Sequence, residues 1–197
     1  KYYDLNLIPA HGPNGEIYEI PLGTSNICTV LFMNKTLVES LGFSQPTTYD
    51  ELVAMVPAAE KAGIEVVTID GADGWAWGSC YMSAVIARLS GDPKWIEKAV
   101  EGTEAKFTDQ VFVDSLAIIS RMIKDGVISA KSTLVDYGAN QSIYSTGKAL
   151  FMVQGQWAAD GISDPAIKEN TVLMAWPALP GEQAAMAGSV AAAPSVG

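Results

Sequence analysis

Apolar residues fall along this chain in two spacings. Mostly apolar runs a few residues long, rich in β-branched and aromatic side chains, occupy 27–33, 64–69, 148–153 and 171–176. The run 27–33 suits a strand covered on both faces, as in a parallel or mixed sheet lying between helices, 148–153 suits a buried strand, and 64–69 and 171–176 suit further strands. A further strand is expected over 19–22, where Pro21 has no N–H for a ladder and so marks a sheet edge or strand end. Another is expected over 188–193.

Between the runs lie helical spacings punctuated by caps. Asn34 caps a short helix that Gly42 ends. Thr48-Tyr49-Asp50-Glu51 has the spacing of a capping box, which opens a helix reaching Lys61 and closing at Gly63. Pro57 inside it should kink or split it. A helix over 79–89 follows the glycine-rich loop 70–78, and Asp92-Pro93 supplies cap and first turn for one ending near Gly102. Thr108 caps the longest helix, in which Phe112, Leu116, Ile119 and Ile123 form a core-facing stripe that Gly126 terminates. A connector over 127–137 leads to a helix over 138–146. Gln154-Gly155-Gln156-Trp157 then turns the third apolar run into a helix ending before Pro165, with Gly155 giving the backbone freedom to turn sharply. The pattern predicts an α/β fold, a small mixed sheet flanked by many helices.

Composition narrows the function classes. With 197 residues, 49% of them hydrophobic, the chain can bury one good core or form one lobe of something larger. Twelve basic against 22 acidic residues give a net charge of −10, which argues against nucleic acid, where phosphate neutralisation needs clustered Lys and Arg. A mean hydropathy of +0.19 excludes a disordered chain. No apolar run is long enough to span a bilayer. Lys1 is not a start methionine, so the chain reads as a mature or excised piece whose residues 1–17 continue something begun earlier. Cys28 and Cys80 are expected as two buried thiols, with one disulfide as the open alternative.

Motifs for catalysis are sparse. The single histidine, His11, rules out two-histidine metal motifs and leaves no partner for a histidine triad elsewhere. Asp70-Gly71-Ala72-Asp73-Gly74 lacks the spacing and the glutamate of an EF-hand and reads as a turn. Paired carboxylates for glycoside hydrolysis stay open, since acids are abundant. What stands out is tryptophan at strand ends. Trp75 and Trp77 follow the run 64–69, and Trp157 follows 148–153. In open α/β sheets ligands bind outside the carboxyl ends of strands. There a flat indole can stack on a sugar ring while neighbouring polar groups give direction. Candidate binding residues are therefore Trp157, Trp75 and Trp77, with Gln156 beside Trp157, Tyr137 after Asp136, and Thr24, Ser25 and Asn26 in a polar bend. The competing reading has each Trp plugging the core edge and the Thr24–Asn26 side chains bonding their own backbone. Trp95, at helical spacing, belongs to the core. Asn34-Lys35-Thr36 and Asn140-Gln141-Ser142 match glycosylation sequons.

Ordered along the chain, YEIPLGTSNICTVLFMNKTLVESLGFSQPTTYDEL, FTDQVFVDSLAIISRMIKDGVIS, YSTGKALFMVQGQWA and VLMAWPALPG resemble landmarks of the extracellular solute-binding proteins of ABC transporters, family 1, the maltose-binding-protein-like group. The resemblance covers nearly all of residues 16–180, and the ordered series is more specific than any one segment. It implies a type II periplasmic-binding-protein-like lobe: 1–22 a remnant of a first lobe and crossing strand, 23–180 the second, ligand-binding lobe, and 181–197 a truncated return strand. It further implies a non-enzymatic, monomeric, sugar-capturing lipoprotein, outside the cell or in the periplasm and membrane-tethered, that partners an ABC permease and needs no cofactor. The competing functions are a carbohydrate-active enzyme and a surface adhesin. An exposed apolar patch away from the Trp loops would favour the adhesin.

Overall fold

The computed structural model describes residues 29–182, together with Asn14 and Glu16. The expected strands over 19–22 and 188–193, the bend Thr24-Ser25-Asn26, His11 and Cys28 lie outside the described residues. Four strands, β1 (Val30–Asn34), β2 (Glu65–Thr68), β3 (Ala149–Gln154) and β4 (Thr171–Met174), form one mixed sheet in the order β2-β3-β1-β4. β3 runs parallel to β2 and antiparallel to β1, and β1 runs antiparallel to β4. Central β1 and β3 are buried along their whole length, as their unbroken apolar runs require. β4 is an edge strand with Leu173 exposed.

The strand register fixes what meets at one sheet end. Thr68 stands opposite Met152, and Gln154 opposite Val30, so β2 and β3 finish together where β1 begins. Alternation along the strands sends Leu31, Met33, Val67, Phe151 and Val153 to one hydrophobic cluster and Val30, Phe32 and Met152 to another.

Caps account for most helix boundaries. Asn34 accepts the Leu37 N–H at 3.1 Å to open α1 (Lys35–Ser40). Thr48 and Glu51 make both bonds of the capping box of α2 (Tyr49–Ala62), which closes on left-handed Gly63. Pro57 does not split α2: it faces solvent, the missing rung is a single one, and buried Leu52, Met55 and Ala59 anchor the helix on either side. A π-helical turn at Trp77–Met82 precedes α3 (Ser83–Ser90), so the helical stretch starts earlier than expected. α4 (Trp95–Glu101) starts at Trp95 rather than Pro93, because the Asp92 carboxylate and carbonyl take the N–H groups of Lys94 and Trp95 in a preceding turn. Trp95 is core, as read from its spacing.

α5 (Gln110–Lys124) corrects two expectations. Asp109, not Thr108, occupies the cap position, and its carboxylate accepts the Lys106 N–H at 2.8 Å. The buried stripe is Ser115, Ile118 and Met122, one residue round from the apolar stripe read in the sequence, and Leu116 is exposed. A serine fits that stripe because its hydroxyl donates to the Val111 carbonyl at 2.7 Å. Asp136 caps α6 (Tyr137–Ser145), and Asp164 with Pro165 opens α7 (Pro165–Glu169), a helix the sequence reading missed. The expected helix after Trp157 is a short 3-10 turn, Gln156–Gly161. Cys80 is buried in the core. So is Arg88, which donates to the carbonyls of Trp176 and Pro177 and pairs with Glu182 at 2.6 Å, binding α3 to the segment after β4.

Candidate functional site

The site forms where β2 and β3 end. The loop after β2 is held to 132–137 by backbone bonds from Gly71 to Ser132 and from Ala72 to Val135, and by the Asp73 carboxylate accepting the Tyr137 N–H at 2.7 Å. A Cβ on Gly71 would lie 2.6 Å from the Ser132 carbonyl, so only glycine permits that approach. Trp75 emerges from this loop. Its ring centroid lies 6.0 Å from that of Trp157, tilted 39°, and 6.1 Å from that of Tyr137, tilted 41°. Three candidates from three separate segments thus meet in one aromatic group, with Trp75 at its centre. Trp75 is 38% and Trp157 37% exposed, unusual for indoles in a folded core.

Gly155 acts differently from the expectation. Its φ of −82° and ψ of 163° suit any residue. What it provides is space, since the Trp157 ring folds back over it and a Cβ would fall 2.1 Å from two ring carbons. The Tyr137 hydroxyl accepts from Gln141 Nε2 at 3.1 Å, and the same amide reaches the Ala158 carbonyl at 3.4 Å, linking α6 to the turn that carries Trp157.

The other candidates lie elsewhere. Trp77 turns away from the group and packs edge-on against Tyr81 at 5.9 Å, half-buried against the core. Gln156 is half-buried beside Trp157. Thr24, Ser25 and Asn26 precede β1 and lie outside the described residues. Asn34 and Asn140, the sequon asparagines, are buried and act in a cap and in a side-chain network.

Sequence reasoning missed that network. Directly after β2, Asp70 is fully buried and accepts from Asn140 of α6 at 3.2 Å and from Gln154, the last residue of β3. Burial pushes the Asp70 carboxyl up to about 6, with the Asp73 carboxylate adding to it. Polar Asp70 and Gln154, each closing an apolar run, were the only sequence signal. Val100, Phe107, Val113 and Leu116, on and around α4 and α5, are exposed as well.

Partly exposed indoles with half-buried Gln156 alongside can take the C–H faces of a sugar and hydrogen-bond its hydroxyls. The chain is 24% identical over 160 residues to the multiple sugar-binding protein of Streptococcus mutans, covering 80% of this chain and 36% of that protein. It is 23% identical over 129 residues to a probable sugar-binding periplasmic protein of Mesorhizobium japonicum, covering 65% of this chain and 30% of that one. The chain thus spans about a third of the length of these relatives. The solved structure of a chitin oligosaccharide binding protein matches with a TM-score of 0.73 at 24% identity, over 90% of this chain and 46% of that one. The fold is that of a lobe of the type II periplasmic binding proteins. The model of the bacterial extracellular solute-binding protein family matches residues 1–195, and the chain belongs to that family.

Proposed function

We propose that this chain carries the second lobe, residues 23–180, of a carbohydrate-capturing receptor of an ABC importer, with 1–22 and 181–197 crossing toward a first lobe. The observation that carries the reading is the Tyr137–Trp75–Trp157 group, three rings from three segments gathered at the carboxyl ends of β2 and β3. Gln156 beside Trp157 supplies hydrogen bonds, Thr24, Ser25 and Asn26 are further candidate ligand partners, and closure of two lobes buries the ligand. Trp77 serves the core of the lobe rather than the ligand. The protein acts as a monomer outside the cell or in the periplasm, tethered to the membrane, and binds without chemistry. Among the described residues no helix is long and apolar enough to cross a membrane.

The exposed apolar side chains Val100, Phe107, Val113 and Leu116 suit a protein contact. In an importer that contact is the permease; in the competing adhesin reading it is another protein. A thermal-shift screen of the intact protein against mono- and oligosaccharides tests the proposal. A ligand at a hundredfold excess over its Kd should stabilise by about 2.7 kcal/mol. Stabilisation by no carbohydrate refutes the sugar reading, and turnover of a bound oligosaccharide refutes pure binding.

A further inference from the structure

The three segments that carry the aromatic rings also carry a buried polar knot that stacking on a ligand does not use. Its three members each sit a few residues from one ring along the chain. Asp70 leads toward Trp75, Asn140 follows Tyr137 by one helical turn, and Gln154 leads into Trp157. All three are fully buried, and one atom joins them: Asp70 Oδ1 accepts from Asn140 Nδ2 at 3.2 Å and from Gln154 Nε2. The three chain segments that carry the rings are therefore tied at a single carboxylate.

The knot is costly to the fold. Asp70 Oδ2, Asn140 Oδ1 and Gln154 Oε1 are buried with no hydrogen-bond partner among the described residues. Desolvation disfavours the Asp70 charge, and of its surroundings Asp73 adds like charge while α6 and β3 present neutral amides. An apolar side chain would fill the space at less cost, so a carboxylate kept there points to a task other than stability.

We propose that Asp70 is the positioning residue of the aromatic group: its carboxylate holds the ends of β2 and β3 and the first turn of α6 in register, so that Trp75, Tyr137 and Trp157 keep their mutual tilt. The consequence for ligand affinity rests on the carbohydrate reading above; the geometric claim does not.

The test uses a readout that needs no ligand. Two indoles in contact couple their electronic transitions and give paired circular-dichroism bands of opposite sign, which Trp157→Phe in the intact protein removes and so identifies. Asp70→Ala should lose most of that signal and bind the captured oligosaccharide at least about tenfold more weakly, the scale of effect that follows a small misplacement of a site. Asp70→Asn should restore both, since its Oδ1 still accepts and its Nδ2 can donate to the unpaired acceptors. If Asp70→Ala fails to fold, Asn140→Ala and Gln154→Ala each remove one arm of the knot and should each weaken the paired bands. Bands unchanged in Asp70→Ala, or in both single-arm variants, overturn the proposal. Bands that fall in a protein capturing no carbohydrate uphold the positioning role and refute the ligand reading.

Discussion

Gly155→Ala separates the role of space from the role of backbone freedom beneath the Trp157 ring. The added Cβ would lie 2.1 Å from Cη2 and Cζ3 and 2.5 Å from Cε3 of Trp157. Carbon contacts settle at about 3.5–4.0 Å, so the indole has to retreat by about 1.5 Å. The backbone itself accepts alanine, at φ −82° and ψ 163°. Alanine also restricts the unfolded chain, which favours folding by about 0.4–1 kcal/mol. Overpacking in a closed core costs about 1–3 kcal/mol, but Trp157 stands at the surface and can swing outward, so the two effects nearly offset. Stability should stay within about 1 kcal/mol of the wild type, while a displaced stacking ring should cost about 2 kcal/mol of binding, roughly thirtyfold in Kd. Calorimetric titration and urea unfolding of the intact Gly155→Ala protein give both numbers. Unchanged affinity would refute the placement of the Trp157 ring in the ligand site. A large loss of stability with the affinity intact would make that ring a structural plug.

Arg88→Met should destabilise the protein by about 3–5 kcal/mol in urea unfolding, because it leaves the buried Glu182 carboxylate without its cation; Arg88→Met with Glu182→Leu should recover much of the loss. Asp70 contributes a pH dependence of known sign. Its folded-state carboxyl is raised from 3.8 to about 6, so the fold binds the proton more tightly than the unfolded chain and stability falls as pH rises from about 4 through 6. Glu51, Asp92 and Asp125, whose carboxyls are lowered, act in the opposite sense, so the quantity to measure is the stability difference between Asp70→Asn and the wild type. That difference should grow in favour of the variant by on the order of 1–3 kcal/mol between pH 4 and pH 7.5, and a flat difference would contradict the raised carboxyl.

Local signals carried much of the fold. Thr48 with Glu51, Asn34, Gly63 and Gly102 announced helix ends because a cap is a contact between residues three or four apart, and such contacts are written in the sequence. The stripe of α5 was misread because two rows one residue apart have the same spacing, and the apolar row was chosen over the row holding Ser115. Pro165 reads in the sequence as the stop of the preceding helix, whereas with Asp164 as cap it opens another.

The site was legible to the extent that strand ends are. Trp75 and Trp157 each follow an apolar run, and the parallel pairing of β2 with β3, which no local spacing encodes, brings them together. Trp77 was grouped with Trp75 on the assumption of a loop. The chain is already helical there, so two residues further on the side chain turns to the far face and meets the core. The Asp70 knot joins residues 70 and 84 positions apart, a distance over which a lone Asp, Asn or Gln gives no signal.

The central claim is that the Tyr137–Trp75–Trp157 group is a carbohydrate site. It is tested most directly by calorimetric titration of the intact protein with oligosaccharides, repeated on Trp157→Ala and Trp75→Ala with the unfolding midpoint of each. The wild type should bind, each variant should lose about 2 kcal/mol or more of binding, and the stability of each should fall by less than the roughly 3–5 kcal/mol that truncating a core tryptophan costs. Undiminished carbohydrate affinity in both variants, with collapsed midpoints, would contradict it.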